Sequence, residues 1–220
     1  MRSHQQNQLS EYLEKLVSGL DPYEKQSREA SVKLGLGGIS LSRGEAHVLR
    51  WVVQSKSVKK AVEIGTLTGL SGLYILDGIE KGGKLWTLEK SPEHAAAAEP
   101  ILKAFAHEKQ KHVEVVRGDA RVTLEALQSE GLFDFIFIDG NKAAYGDYLA
   151  WSEKNLRKGG FLLADNVLLS GAVYSEVESN FSAKQISVMK NFNERLSDQK
   201  IWRGALLPTS EGLFLAEKLT

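Results

Sequence analysis

The 220-residue chain contains no cysteine, which excludes disulfide bonds, thiolate metal sites and a cysteine nucleophile. Neither sign of charge is in excess, since 28 Lys and Arg residues balance 28 Asp and Glu residues. This balance argues against a broad nucleic-acid-binding face. Long apolar runs are also missing: none approaches the roughly 20 residues that cross a bilayer, and residues 1–7 lack the apolar core of a signal peptide. We therefore expect a cytoplasmic protein with no membrane segment.

What is present has ordinary globular proportions, with 42% hydrophobic and 25% charged residues. The first part of the chain carries helical periodicity, with apolar residues at three- and four-residue spacings. The first such stripe consists of Leu9, Tyr12, Leu13, Leu16, Val17 and Leu20. Asp21-Pro22 ends this helix, and a second helix is predicted over 24–34. Ser42 followed by Glu45 is a capping-box pattern, which predicts the start of a third helix.

From residue 60 onward, short apolar runs alternate with helical segments, which predicts an α/β fold with a parallel sheet. The predicted strands are 61–64, 84–88, 113–116, 133–138 and 160–164. Ser91-Pro92 is a helix start, and a turn at 208–212 joins the two arms of an antiparallel hairpin at one edge of the sheet. We expect one domain over 1–220, with residues 1–55 as a helical extension and residues 56–220 as the core.

A glycine-rich turn, residues 62–71, leads from the first predicted strand into a helix. Its glycines let the backbone approach a ligand at the carboxyl end of the strand, where open parallel sheets bind ligands. The spacing is not G-x-G-x-x-G, which argues against a nicotinamide dinucleotide and favours a ligand without a pyrophosphate. A turn that binds no ligand is the alternative.

Acidic residues follow the second and third strands. Glu89 lies 24 positions after Gly65, where doubly wound folds place a carboxylate that hydrogen-bonds ribose hydroxyls. This pairing favours a nucleoside site over a solvated charge. Asp119 could accept a hydrogen bond from an adenine amine or could cap the next helix.

Two further carboxylates follow the fourth and fifth strands, and both should emerge at the same edge of the sheet. Asp139, Asp165 and Asn166 offer three oxygen ligands, a set that suits Mg²⁺, with Mn²⁺ or Ca²⁺ as alternatives. A pair of helix caps is the structural alternative. Lys142 lies three residues beyond Asp139. Near a divalent ion its pKa could fall, which would make it a general base, whereas the plain alternative is a surface lysine.

Taken in order, these motifs resemble the cation-dependent class I O-methyltransferases that use S-adenosylmethionine, the group that contains the caffeoyl-CoA and catechol O-methyltransferases. The resemblance runs from about residue 35 to the C-terminus. Its anchors are Val62–Ser71, Glu89, Gly118–Ala120, Ile138–Lys142 with Tyr145, Asp165–Leu168 with Gly171, and Leu206–Leu213.

The resemblance implies a Rossmann-like sheet of seven strands with an antiparallel last strand, and a homodimer. It assigns a role to each site residue. The S-adenosylmethionine contacts would be Ile39, Glu63, Gly65, Thr66, Ser71, Glu89, Asp119, Ala120 and Asp139. The metal ligands would be Asp139, Asp165 and Asn166, and the catalytic residues Lys142 and Asp139.

One residue departs from the family pattern. Many members have Asp-Ala-Asp-Lys where this chain has Asp139-Gly140-Asn141-Lys142, so Asn141 replaces a carboxylate that could touch the substrate. Residues 170–184 follow the metal ligands and are expected to cover the acceptor.

The sequence therefore predicts methyl transfer to a hydroxyl of a small catechol-like or hydroxycinnamoyl-type acceptor. Three alternatives stay open: methylation of a hydroxylated tRNA nucleoside, a non-catalytic S-adenosylmethionine binder, and a nicotinamide-dependent oxidoreductase, which the glycine spacing disfavours.

Overall fold

A computed structural model describes residues 11–12, 15–176, 179–209 and 211–220. Its helices are α1 (Tyr23–Lys33), α2 (Arg43–Ser55), α3 (Leu70–Gly78), α4 (Pro92–Glu108), α5 (Ala120–Ala126), α6 (Tyr145–Asn155) and α7 (Ala183–Leu196). Its strands are β1 (Lys60–Ile64), β2 (Lys84–Glu89), β3 (His112–Arg117), β4 (Phe133–Ile138), β5 (Leu156–Ala164), β6 (Trp202–Leu207) and β7 (Leu213–Lys218). Short 3₁₀ turns span Leu127–Glu130, Lys142–Ala144 and Leu169–Gly171.

The strands form one seven-stranded sheet in the order β3-β2-β1-β4-β5-β7-β6. β2 pairs with β3 and β4 pairs with β5 in parallel, whereas β7 is antiparallel to both β5 and β6. The predicted α/β fold with an antiparallel C-terminal hairpin is therefore confirmed. The last strand of the chain, β7, lies between β5 and β6. The first strand of the hairpin, β6, is therefore the edge strand of the sheet.

The predicted helix starts are also confirmed. The Ser42 hydroxyl accepts a hydrogen bond from the Glu45 amide, and the Glu45 carboxylate accepts one from the Ser42 amide, so α2 begins with a complete capping box. α4 begins at Pro92, with Ser91 accepting from the His94 amide. In the first predicted helix, residues 11–12 and 15–16 are helical, whereas Leu9 and Leu13 lie outside the described residues. The predicted end at Asp21-Pro22 is wrong, because the helix ends at Leu16, and Val17 and Leu20 lie beyond it.

The described residues form two compact units. The first comprises the described residues up to 61 together with 66–119, and the second comprises residues 62–65 and 120–220. Large, fully buried side chains form the interior of each. In the first unit they include Leu49, Leu73, Tyr74 and Ile75, and in the second unit Phe133, Phe135, Phe137, Tyr145, Phe192 and Trp202. Within the described ranges, no helix is long and apolar enough to span a membrane.

A buried carboxylate joins the helices of the first unit. Glu24 is only 1% exposed and accepts hydrogen bonds from the Leu20 amide, the Arg28 and Arg43 guanidiniums and the Tyr74 hydroxyl, at 2.7–3.1 Å. Burial alone would raise the pKa of Glu24, but these bonds outweigh it and lower the pKa to about 2. Glu24 is therefore ionised and links α1 to α2 and α3.

Candidate functional site

The first glycine of the glycine-rich turn lies against the end of β4. Gly65 has φ +104°, and a Cβ built there would collide with the carbonyl oxygen of Asp139. The Asp139 amide donates to the Ile64 carbonyl at 2.9 Å. Close backbone packing therefore explains why glycine is needed at position 65, whatever ligand the turn binds.

In the first unit, the same turn is held by Glu89. The Leu67 amide donates to Glu89 Oε2 and the Ser91 amide donates to Glu89 Oε1, both at 2.8 Å. His94 Nδ1 lies 3.7 Å from Oε1, and the Glu89 carboxylate is buried. Leu67 has φ +50°, a left-handed conformation that costs energy in a non-glycine residue and often occurs at functional sites. Glu89 is thus a structured group at the strand end and not a solvated charge.

The other predicted cofactor residues of this unit lie near the ends of its strands and helices. Thr66 and Ser71 are buried, and Thr66 Oγ1 lies 2.5 Å from Thr87 Oγ1. The Gly118 amide donates to the Glu89 carbonyl, which brings the loop of Asp119 next to Glu89. Ile39 lies on the loop after α1 and is 63% exposed, so no burial holds its side chain in a site.

In the second unit, Glu63 is fully buried in β1 and Ala120 begins α5. The strands β4 and β5, which Asp139 and Asp165 follow, are neighbours, as predicted. Ile138 pairs with Ala164, and the Asp165 amide donates to the Ile138 carbonyl at 3.0 Å.

Asp165 is buried and Asn166 has φ +59°, a left-handed conformation that asparagine tolerates better than most residues. The backbone amide of Asn166 donates a hydrogen bond to Asp165 Oδ1 at 2.8 Å. Asp165 and Asn166 therefore stand together at the end of β5, directly beside the end of β4 where Asp139 follows.

Lys142 belongs to this group and is not a surface lysine. Its Nζ donates to Asp139 Oδ1 at 2.8 Å and to the Tyr145 hydroxyl at 2.9 Å. Burial of the Lys142 ammonium lowers its pKa, but the charge of Asp139 and the contact with Tyr145 outweigh this effect, so the pKa of Lys142 lies above its ordinary value. The depressed pKa expected from the sequence presupposed a bound divalent ion, and it stays a prediction.

The donor set at these strand ends fits a hard cation in its chemistry. Asp139, Asp165 and Asn166 supply two carboxylates and one amide oxygen, the ligand types that Mg²⁺ prefers. Across the part of the chain that the structure describes, no group of three His, Cys, Asp or Glu side chains could hold a metal ion. A metal here would therefore rely on the amide oxygen and on water to complete its shell.

The contacts of two residues named from the sequence, Tyr145 and Asn141, were not predicted from it. Tyr145 is fully buried, and its hydroxyl donates to the Asp165 carbonyl at 2.8 Å. A tyrosine three residues after Lys142, at the start of a helix, was the available signal. Asn141, the residue that departs from the family pattern, accepts a hydrogen bond from the Ala143 amide and so caps the short 3₁₀ turn.

The segment expected to cover the acceptor is anchored where it begins. The Ser170 amide and hydroxyl both donate to the Glu211 carboxylate at 2.9–3.1 Å. On the other side, Asn193 donates to the Val167 carbonyl at 2.8 Å. Residues 177–178 of the predicted 170–184 segment lie outside the described residues.

Comparison with known proteins gives a consistent set of relatives. The sequence model of a family described as O-methyltransferase matches residues 14–219. A catechol O-methyltransferase of Niastella koreensis is 32% identical over 196 residues, covering 86% of each chain. A Dictyostelium discoideum protein named "Probable caffeoyl-CoA O-methyltransferase 2" is 30% identical and covers 76% of this chain and 72% of its own. An O-methyltransferase from Bacillus cereus, solved in complex with SAH, superposes with a TM-score of 0.85 at 25% identity, covering 96% of each chain.

Proposed function

Because the chain belongs to this O-methyltransferase family, we propose that it transfers the methyl group of S-adenosylmethionine to a hydroxyl oxygen of a small catechol-like or hydroxycinnamoyl-type acceptor, with Mg²⁺ as its metal cofactor. The names of the catechol and caffeoyl-CoA relatives support this acceptor class. The SAH in the Bacillus cereus relative supports the cofactor.

The proposed cofactor contacts are those predicted from the sequence. Glu89 would accept hydrogen bonds from the ribose hydroxyls; it is a buried carboxylate at the carboxyl end of β2, which is the position this role requires. To do so it must share oxygens that already accept the Leu67 and Ser91 amides, and a carboxylate has lone pairs enough for both. Glu63, Gly65, Thr66, Ser71, Asp119 and Ala120, with Ile39 and Asp139, complete the proposed set.

The observation that carries the acceptor site is the adjacency of Asp139 and Asp165 at the ends of paired strands, with Lys142 bonded to Asp139. Asp139, Asp165 and Asn166 would hold the cation, which when bound lowers the pKa of an acceptor hydroxyl. Lys142 presents an N–H to the acceptor oxygen while its amine is charged. Once neutral, the amine accepts the proton of the acceptor hydroxyl at Nζ. Asp139 is the strongest of the groups that raise the pKa of Lys142, so its charge must be offset before Nζ can act as a base.

Alignment contributes alongside electrostatics. Transfer from a sulfonium requires the acceptor oxygen in line with the methyl group, so rigid donors and acceptors accelerate the reaction by removing the search for that geometry. Lys142, held by two hydrogen bonds, is such a donor.

The test is an acceptor screen with labelled S-adenosylmethionine and added Mg²⁺, covering catechols, hydroxycinnamoyl esters and tRNA. We expect label in a small phenolic acceptor, loss of turnover with EDTA, and recovery when Mg²⁺ is restored. Full activity after complete metal removal would contradict the metal role. Methylation of tRNA alone would replace the proposed acceptor, and binding of S-adenosylmethionine without transfer to any acceptor would indicate a non-catalytic binder.

We also propose that the protein is a homodimer, as the resemblance implies, and a single-domain cytoplasmic protein, as its length and composition indicate. Light scattering coupled to size-exclusion chromatography measures the mass directly. A mass of 24.3 kDa, that of one chain, at working concentration would contradict the dimer.

A further inference from the structure

We propose that Tyr145 is a positioning residue that acts through Lys142: its hydroxyl holds the lysine Nζ in place and ties it to the backbone of Asp165. The inference rests on the proposed function, because it concerns how the lysine of that site is oriented. It adds a residue to which no cofactor, metal or proton-transfer role was assigned above.

The direction of the hydrogen bonds follows from their chemistry. The Tyr145 hydroxyl lies 2.8 Å from the Asp165 carbonyl oxygen and 3.4 Å from that of Ile138. A phenol has one proton and a carbonyl has none, so the proton of Tyr145 points to a carbonyl. The phenol oxygen is then left to accept, and Lys142 Nζ, 2.9 Å away, donates to it.

The result is a continuous chain of bonds across the ends of β4 and β5. Asp139 Oδ1 accepts from Lys142, Tyr145 accepts from Lys142, and Asp165 accepts from Tyr145. An ammonium has three N–H groups. Two of them are directed by Asp139 and Tyr145, which fixes the direction of the third, the one available to an acceptor oxygen.

The ring of Tyr145 is held independently of its hydroxyl. It packs edge-on against the ring of Phe192 in α7, with 5.1 Å between the ring centroids. Its centroid lies 6.2 Å from that of Tyr148. Tyr145→Phe therefore keeps the ring in its place and removes only the hydrogen bonds. The substitution separates positioning of Lys142 from packing of the core.

The principal experiment is a double-mutant cycle on kcat with Tyr145→Phe, Lys142→Ala and the pair. We expect Tyr145→Phe alone to lower kcat about 10- to 100-fold, the effect of losing a hydrogen bond to a charged group, with KM for S-adenosylmethionine unchanged. In the Lys142→Ala background the same change should have no further effect, because the group that it positions is gone. Tyr23→Phe is the matched control: it removes a hydroxyl bonded to Glu108 at the surface of the first unit and should leave kcat unchanged.

Equal losses in both backgrounds would overturn the inference, because Tyr145 would then act without Lys142. Unchanged kcat in Tyr145→Phe, in a protein where Lys142→Ala is impaired, would also overturn it. Absence of methyl transfer by the wild-type protein to every acceptor would instead refute the proposed function, and the second measurement below would still test Tyr145.

That second measurement needs no turnover. In protein labelled with ¹⁵N-lysine, the Lys142 ammonium should give a slowly exchanging NMR signal, assigned by its loss in Lys142→Ala. Tyr145→Phe should shift this signal and speed its exchange. In the wild-type protein, the hydrogen-bonded hydroxyl proton of Tyr145 should give a visible NMR signal. Its chemical shift should change in Lys142→Ala. This measurement does not require Tyr145→Phe to fold. Signals that are unchanged in these variants would refute the contact.

Discussion

Gly65→Ala tests the packing of the glycine-rich turn against the end of β4. Two costs add at this position. A left-handed backbone costs a non-glycine residue about 1–2 kcal/mol, and the residue has φ +104°. The new Cβ also collides with the Asp139 carbonyl oxygen and stands 2.8 Å from its carbon, and overpacking of this kind costs about 1–3 kcal/mol.

The expected total is about 2–5 kcal/mol of unfolding free energy. Gly82→Ala is a matched control, because Gly82 has φ +76° but a Cβ there would meet no heavy atom of the described residues within 4 Å, chain neighbours aside. It should cost only the backbone term, about 1–2 kcal/mol. The lower entropy of the unfolded chain with alanine affects both variants alike and cancels from their difference.

Urea unfolding of the three proteins measures the difference, which we expect to be about 1–3 kcal/mol. Because the collision is with the backbone of Asp139, the folded fraction of Gly65→Ala should also turn over more slowly than folded Gly82→Ala. If Gly65→Ala proves no more destabilising than Gly82→Ala, the reasoning from close packing is refuted.

Two further predictions address the proposed metal site and the buried carboxylate. Asp165→Ala should abolish Mg²⁺-dependent turnover while retaining most S-adenosylmethionine affinity, measured by calorimetry; wild-type turnover would exclude Asp165 as a ligand. The fall in the pKa of Glu24 from 4.5 to about 2 corresponds to about 3 kcal/mol of stability. Since the folded-state pKa is depressed, this contribution is present above about pH 4.5 and is lost as the pH falls toward 2. The difference in unfolding free energy between wild type and Glu24→Gln should therefore narrow over that range, and a difference independent of pH would contradict the assignment.

Much of the fold could be predicted because its signals are local. The capping box at Ser42 and the proline after Ser91 depend on residues within one turn of helix, so the sequence carries them completely. The alternation of strands with helices likewise predicts a parallel sheet, because the connections must cross over the sheet faces. For the same reason Asp139 and Asp165 could be expected at one edge, and the structure pairs the strands that they follow.

Other features depend on contacts between distant parts of the chain. Glu24 is bonded to Tyr74 50 positions away, and no spacing rule in the sequence connects a carboxylate to such a partner. The placement of β7 between β5 and β6 follows from antiparallel pairing on both sides, which the hairpin pattern by itself does not specify.

The sequence by itself determined which residue types stand at each strand end and which chemistry they can support. Tertiary structure decided what holds those residues. Packing against Asp139 requires Gly65 to be glycine, two amides hold Glu89, and Tyr145 joins Lys142 to Asp165. The physical reason is that the functional groups of a residue are fixed by its own side chain. The orientation of that side chain depends on partners that only the folded chain brings within hydrogen-bonding distance.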